Sequence, residues 1–436
     1  MMYLPRKIHV SGALRMLHDP GRIWSSSRWW TVVAGALGCS LGAGVLVIYT
    51  FGVFASAMAT GFGWSRAVHA NSLTIFLVFS GTGSLLLGPL IDRFGIRLPS
   101  AILVTVFGLS VASLAWAPAN PWWVYVTFAV IGLSGSAATA MPYAVAVRSL
   151  FDGERGLAFG LINFGSGIGS ATAPYFASAL LTAFGWRGGF LGVGLAGIAP
   201  ALGLLFLVRE PERAAHVGAS ESDRSPWLAQ IRRPTFWLIA LPIAGISIAT
   251  FGVLGSMVPL LKDRGVGAAL IAGVMSGAGT SSWLARPMVG YALDRFFAPF
   301  VTAATFLFAI VGLLLLTVTH STGGIISAAL LIGFTLGSEG DLVTFLVSRY
   351  YGPAVYSRVL GALWVTWAWG GGIGTFVAGA SYRMLTSYTP ALIGFAVLLC
   401  LCTIIICRLG PYEYPAEGRR IRWQPKLRAP EAMSKT

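Results

Sequence analysis

Few residues in this 436-residue chain can do chemistry, because only 10% of them are charged. Three stand isolated inside apolar runs. Arg286 lies in "ALIAGVMSGAGTSSWLARPMVGYALDRF", and Glu339 and Asp341 lie in "LIGFTLGSEGDLVTFLVSRYYG". A guanidinium stays charged at any working pH, and placing it inside a membrane span costs about 2.5–3.5 kcal/mol on insertion scales. Such a residue is expected to face a water-filled cavity and to hold an anion in a bidentate pair. The plainer alternative is a stem that snorkels to the headgroups, since Arg286 stands just ahead of Gly290 near one end of its run. The two carboxylates are two positions apart and do not share a helix face. One is expected to face the cavity and carry protons; the other pairs at a helix interface. A structural ion pair with Arg286 or Arg349 is the competing role. Tyr49, Asn71, Tyr143 and Asn163 are polar groups of the first half that could donate to an anion's oxygens. Trp367, with Trp364 and Trp369, either walls the site or simply packs, and His69 reads as interfacial.

These residues must be positioned by membrane helices. Hydrophobic residues make up 56% of the chain and charged ones only 10%, whereas soluble domains carry roughly 25% charged residues. Apolar runs near 20 residues recur throughout, without the alternation of barrel strands. Helices are expected at 30–58, 67–90, 99–117, 122–147, 156–182, 187–208, 235–260, 266–289, 299–319, 323–348, 359–382 and 388–407. The net charge of +15 does not indicate nucleic acid, because it is unevenly spread. Arg66, Arg187, Lys262, Arg264 and Arg383 occupy one set of loops, Arg286 is intramembrane, and all other Lys and Arg fall in the tails and alternate loops. Positive charge marks the cytoplasmic side, so both termini are expected in the cytosol of a multi-pass plasma (inner) membrane protein. The basic start and the long first apolar run predict insertion by the first helix rather than a cleavable leader. Cys39, Cys400, Cys402 and Cys407 lie in or at the ends of apolar helices, as inert thiols with no disulfide or metal pattern.

The expected organisation is a tail (1–28), a six-helix bundle (29–208), a polar linker (209–234), a second bundle (235–407) and a tail (408–436). The bundles read as a repeat. "TFGV" at Thr50–Val53 returns at Thr250–Val253; Gly88, Asp92 and Arg93 return as Gly290, Asp294 and Arg295; Arg155 and Leu157 return as Arg358 and Leu360. "GSGIG" at 165–169 returns as "GGGIG" at 370–374. An offset of six helices preserves orientation, so the repeats are parallel, related by an axis along the membrane normal.

The loop "GPLIDRFGIR", with Gly88, Asp92, Arg93, Gly95 and Arg97, resembles the loop signature of the major facilitator superfamily, and "GYALDR", with Gly290, Asp294 and Arg295, resembles its weaker second copy. Glycines permit close helix approach, and Asp92 can accept from helix N-termini or a basic partner across the cytoplasmic seam. That is a gate; the alternative is a topogenic turn. Within the superfamily, "GWSRAVHANS", "RGLAFGLINFGSGIG" and "ARPMVG" resemble segments of the monocarboxylate transporters and oxalate:formate antiporters. The resemblance implies Arg286 as substrate anchor. It also exposes departures: Ser282 stands where monocarboxylate transporters place a proton-carrying aspartate, Tyr49 stands near their helix 1 lysine, and the eleventh run lacks the antiporters' lysine.

The expectation is an all-α transporter that moves small organic monocarboxylates by alternating access, by proton symport. Anion exchange and efflux of neutral or cationic compounds are the alternatives. Its partners are the anion, a proton or counter-anion, and the bilayer, and it is expected to work as a monomer without a cofactor. No HExxH, Gly-x-Ser-x-Gly or P-loop pattern supports an enzyme.

Overall fold

The computed structural model describes residues 28–62, 64, 66–208 and 227–414. Most of both tails and of the linker expected at 209–234 therefore lie outside the described residues. Within them the chain forms fourteen α-helices and one 3-10 turn, with no strand among the described residues. In lipid the backbone can satisfy its own polar groups only by helices or a closed barrel.

The first half contains α1 (Arg28–Ser40), α2 (Ala43–Phe62), α3 (Arg66–Phe94), α4 (Arg97–Ser113), α5 (Pro121–Gly135), α6 (Met141–Leu150) and α7 (Arg155–Phe206). After the short α8 (Trp227–Ile231), the second half contains α9 (Pro234–Asp263), α10 (Ala268–Leu293), α11 (Ala298–Val318), α12 (Thr322–Tyr350), α13 (Tyr356–Leu385) and α14 (Thr389–Ile406). Local chemistry sets several boundaries. Asn120 caps α5 by accepting from the Trp122 N–H at 3.0 Å, with Pro121 in the first turn, where a missing N–H costs nothing. Gly95, in the motif turn after α3, has φ 87°, a left-handed conformation that favours glycine.

Twelve crossings arise from these helices. Eight described helices are long and apolar enough to span a membrane. One of them, the 52-residue α7, is a hairpin of two spans, because Gly185 breaks it with φ 67° and ψ 180°. Leu180 accordingly packs against Gly192, residues that a straight helix would hold far apart. α5 with α6 makes another crossing. α10 and α13 have spanning length but less apolar sequence, and they carry Arg286 and the glycine-rich segment. Gly185 occupies a region of φ/ψ that is essentially glycine-only. Gly185→Val is expected to destabilise the first bundle by about 1–3 kcal/mol, read as a lowered thermal unfolding midpoint in detergent; an unchanged midpoint would contradict the strain assignment.

Two runs expected to be continuous, 30–58 and 122–147, are each broken, at Leu41–Gly42 and at 136–140. The reason lies at Pro142, which has no N–H to return to the carbonyl of Ala138. That carbonyl instead accepts from the Ala43 N–H at 2.9 Å, an otherwise unpaired donor in the first turn of α2. The two interruptions satisfy one another across the helix interface, as irregular backbone at membrane depth requires.

The halves meet along α3 against α13 and α7 against α10. Both contacts run backbone to backbone. A methyl group added at Gly88 would lie 2.8 Å from the Ser357 carbonyl oxygen, and one at Gly160 would lie 2.5 Å from that of Arg286. A residue larger than glycine at either place would push the halves apart.

Candidate functional site

At one end of the inter-half seam the loops form a set of latches. Asp294, at the end of α10, accepts from the backbone N–H groups of Gly156 (2.8 Å) and Leu157 (2.9 Å). Those groups open α7, so the carboxylate also meets the positive end of a helix dipole. Its repeat counterpart, Asp92, accepts from the Ser357 hydroxyl and from Arg358 Nε at 2.6 Å, at the start of α13. A third latch is not in the repeat: Asp152, before α7, pairs with Arg349 at 2.9 Å, and the buried Arg155 reaches the Ser348 carbonyl at 3.3 Å. The arginines read as gating have contacts within their own half, whereas Gly88 and Gly290 pack across the seam. Arg97 donates to the Val208 carbonyl at 2.7 Å, while Arg93 and Arg295 stack on Phe94 and Tyr291. Gly290 completes the tight contact with Gly156.

Further along the seam lies the polar cluster. Arg286 projects from α10 one turn above Gly290, where Gly160 of α7 packs on its carbonyl. It lies within electrostatic reach of Glu339, Asp341, Tyr49 and Cys39. Those partners come from both halves, so the side chain sits at the seam between them. Among the described residues Arg286 has no ion pair, and its Nε is buried with no hydrogen-bond partner. Arg349 is occupied by Asp152, so neither arginine forms a structural ion pair with the α12 carboxylates.

Glu339 and Asp341 are both buried and, as their spacing requires, look in different directions. Asp341 crosses the seam: its Oδ1 accepts from Asn163 Nδ2 of α7 at 2.6 Å. Glu339 stays within the second half. Its Oε2 accepts from Trp367 Nε1 of α13 at 2.6 Å. Each carboxylate keeps one buried oxygen without a partner, Glu339 Oε1 and Asp341 Oδ2, and Trp364 Nε1 is likewise an unpaired donor. Trp364 and Trp367 pack edge to face at 5.0 Å, and Phe251 sits edge to face on Trp367 at 5.2 Å.

The fold thus brings together Arg286, Asn163, Glu339, Asp341 and Trp367, with the half-exposed Tyr49 alongside. The rest are elsewhere. Asn71 is exposed and faces the Tyr125 hydroxyl at 3.4 Å within its own half. It lies roughly 20 Å along α3 from Ser84, the repeat counterpart of Arg286. Tyr143 is buried against Gly38, inside the first bundle. Ser282 is buried where α10 touches Gly337 of α12. Trp369 is exposed. Sequence reading missed Cys39 and Phe251, both of ordinary types for apolar helices.

Comparison with known proteins fits this arrangement. A family model described as Major Facilitator Superfamily matches residues 37–375. A probable L-galactonate transporter of Escherichia coli is 27% identical over 49% of this chain, and the match spans about half (53%) of that relative's length. Monocarboxylate transporter 4 of Mus musculus is 26% identical over 69% of this chain and 66% of its own. Among solved structures, the transporter FucP in its outward conformation superposes with a TM-score of 0.70 at 14% identity, covering 87% of this chain and 99% of that one.

Proposed function

This chain belongs to the Major Facilitator Superfamily, and on that premise we propose that it carries a small organic carboxylate across the membrane together with a proton. The observation that carries this reading is the guanidinium of Arg286, half-buried at the seam with its Nε unpartnered, within reach of two carboxyl groups and paired with neither. One guanidinium neutralises one carboxylate. The cluster holds two, so with no substrate bound one of them must carry a proton if the site is to be neutral in its low-dielectric surroundings. An incoming carboxylate that takes Arg286 in a bidentate pair adds a further negative charge. Neutrality then needs a second proton, so anion and proton travel together.

The membrane gives this coupling a purpose. A potential of ~100 mV, negative inside, opposes entry of one negative charge by about 2.3 kcal/mol, roughly fifty-fold in accumulation, and co-transport of one proton removes that penalty. Similarity to a monocarboxylate transporter and to a probable L-galactonate transporter supports an organic acid as cargo. The basic loops support a cytoplasmic latched end, with both termini in the cytosol of the plasma membrane. The described conformation would then be closed to the cytosol. Opening it breaks the Asp92, Asp294 and Asp152 latches as the halves rock about their glycine contacts.

The test is uptake of labelled monocarboxylates into proteoliposomes with the outside made acidic. Uphill uptake is expected, with one proton moved per anion and no response to a clamped potential. Uptake that ignores the pH gradient and follows a preloaded anion would establish exchange instead. Transport of none of the acids would remove the reading.

A further inference from the structure

Unpaired polar atoms at the cluster describe what must fill it. Buried polar groups in folded proteins are almost always hydrogen-bonded, so each exception calls for an explanation. Here two acceptors, Glu339 Oε1 and Asp341 Oδ2, and one donor, Trp364 Nε1, are buried without partners, as is Nε of Arg286, and Trp364 packs on the Trp367 that holds Glu339. The two carboxyls are not equivalent. Asp341 is tied across the seam to Asn163, so its surroundings change when the halves separate. Glu339 is tied to Trp367 of its own half, so its free oxygen keeps a fixed position through the rocking motion. A fixed acceptor suits recognition; a group straddling the seam suits coupling.

Building on the reading that Arg286 receives a carboxylate, we propose that the substrate is a hydroxylated carboxylate of the sugar-acid type. Its acid group pairs with Arg286, one of its O–H groups donates to Glu339 Oε1, which stays the carbonyl acceptor when the neutral carboxyl carries its proton on Oε2, and one of its oxygens accepts from Trp364 Nε1. A simple aliphatic acid offers no donor and leaves the Glu339 oxygen buried and unpaired. A site built to bond a hydroxyl rejects the analogue lacking it far more strongly than an apolar pocket rejects an extra methylene. The edge-to-face pair of Trp364 and Trp367 adds an apolar wall with a polar edge, which matches a molecule with C–H faces and O–H rims.

The experiment is equilibrium binding to the purified full-length protein by calorimetry, comparing a six-carbon aldonate with hexanoate, which share the acid group and chain length. The aldonate is expected to bind at least about 100-fold more tightly. In Glu339→Gln, which places an N–H donor where the free acceptor stood, this preference should fall below about ten-fold. Trp364→Phe should lower it by a smaller factor; unfolding midpoints of both variants check that the fold survives. Equal affinities in the wild type, or a preference that persists in a folded Glu339→Gln, would overturn the proposal and leave the unpaired atoms to water. Binding of neither acid, or binding of both that Arg286→Ala does not weaken, would instead defeat the carboxylate reading beneath it.

Discussion

Arg286→Ala is expected to lower carboxylate uptake in proteoliposomes by at least about 100-fold, because a charge-assisted bidentate pair desolvated in the seam is worth several kcal/mol. The loss should be functional and not structural. Arg286 forms no ion pair among the described residues, so its removal breaks no existing bridge. Its packing role at the seam resides in the backbone carbonyl that Gly160 covers, and alanine keeps that carbonyl. The unfolding midpoint should therefore hold. Arg286→Lys should restore little: an ammonium is a point charge without the planar fork that matches two carboxylate oxygens. Uptake by a folded alanine variant at the wild-type rate would move the anion site elsewhere.

The parts legible in the sequence are those written in single-residue chemistry. A charge in an apolar run is conspicuous, so Arg286, Glu339 and Asp341 are visible without a structure, and the drifting repeat assigns Asp92 and Asp294 to corresponding turns. Pairing is not legible in the same way. The Asn163–Asp341 bond joins positions 178 apart, and nothing in either segment names the other. Polarity alone also cannot separate a group facing a cavity from one satisfied inside its own bundle, which is why Asn71 and Tyr143 read like Asn163 yet lie apart from the cluster. The breaks near Gly42 and Pro142 are hidden for a related reason. Hydropathy records that a run is apolar, whereas whether its backbone stays helical depends on where the Ala138 carbonyl finds a donor.

The same physics accounts for an asymmetry between the halves. Asp92 and Asp294 occupy corresponding positions, but Asp294 is held by two backbone N–H groups and Asp92 by two side chains. Backbone donors at a helix start are fixed in place and come free of side-chain entropy. Of the two, the α10–α7 contact rests on the less mobile donors, and α10 is the helix that carries Arg286. The proposed anion site would thus lie on the side of the seam held by backbone donors, where a few tenths of an ångström decide whether a bidentate pair forms.

Asp341→Asn is expected to split two activities that Arg286→Ala removes together. Asparagine keeps the shape and retains an oxygen to accept from Asn163 Nδ2, so the bond that spans the seam at 2.6 Å survives. What it loses is the ability to take up a proton. Exchange of labelled for unlabelled substrate at equal pH, which needs only binding and rocking, should persist within about ten-fold of wild type. Accumulation driven by an acid exterior should vanish, since the anion then crosses without its compensating charge and meets about 2.3 kcal/mol per 100 mV. Asp341→Ala, which leaves the buried Asn163 amide unpaired, should lose both. Glu339→Gln supplies the contrast, because a recognition group lowers uphill uptake and exchange in step. If Asp341→Asn still concentrates substrate against a gradient while Glu339→Gln does not, the two carboxyls have their roles reversed, and the proton rides on the half that binds rather than on the bond between the halves.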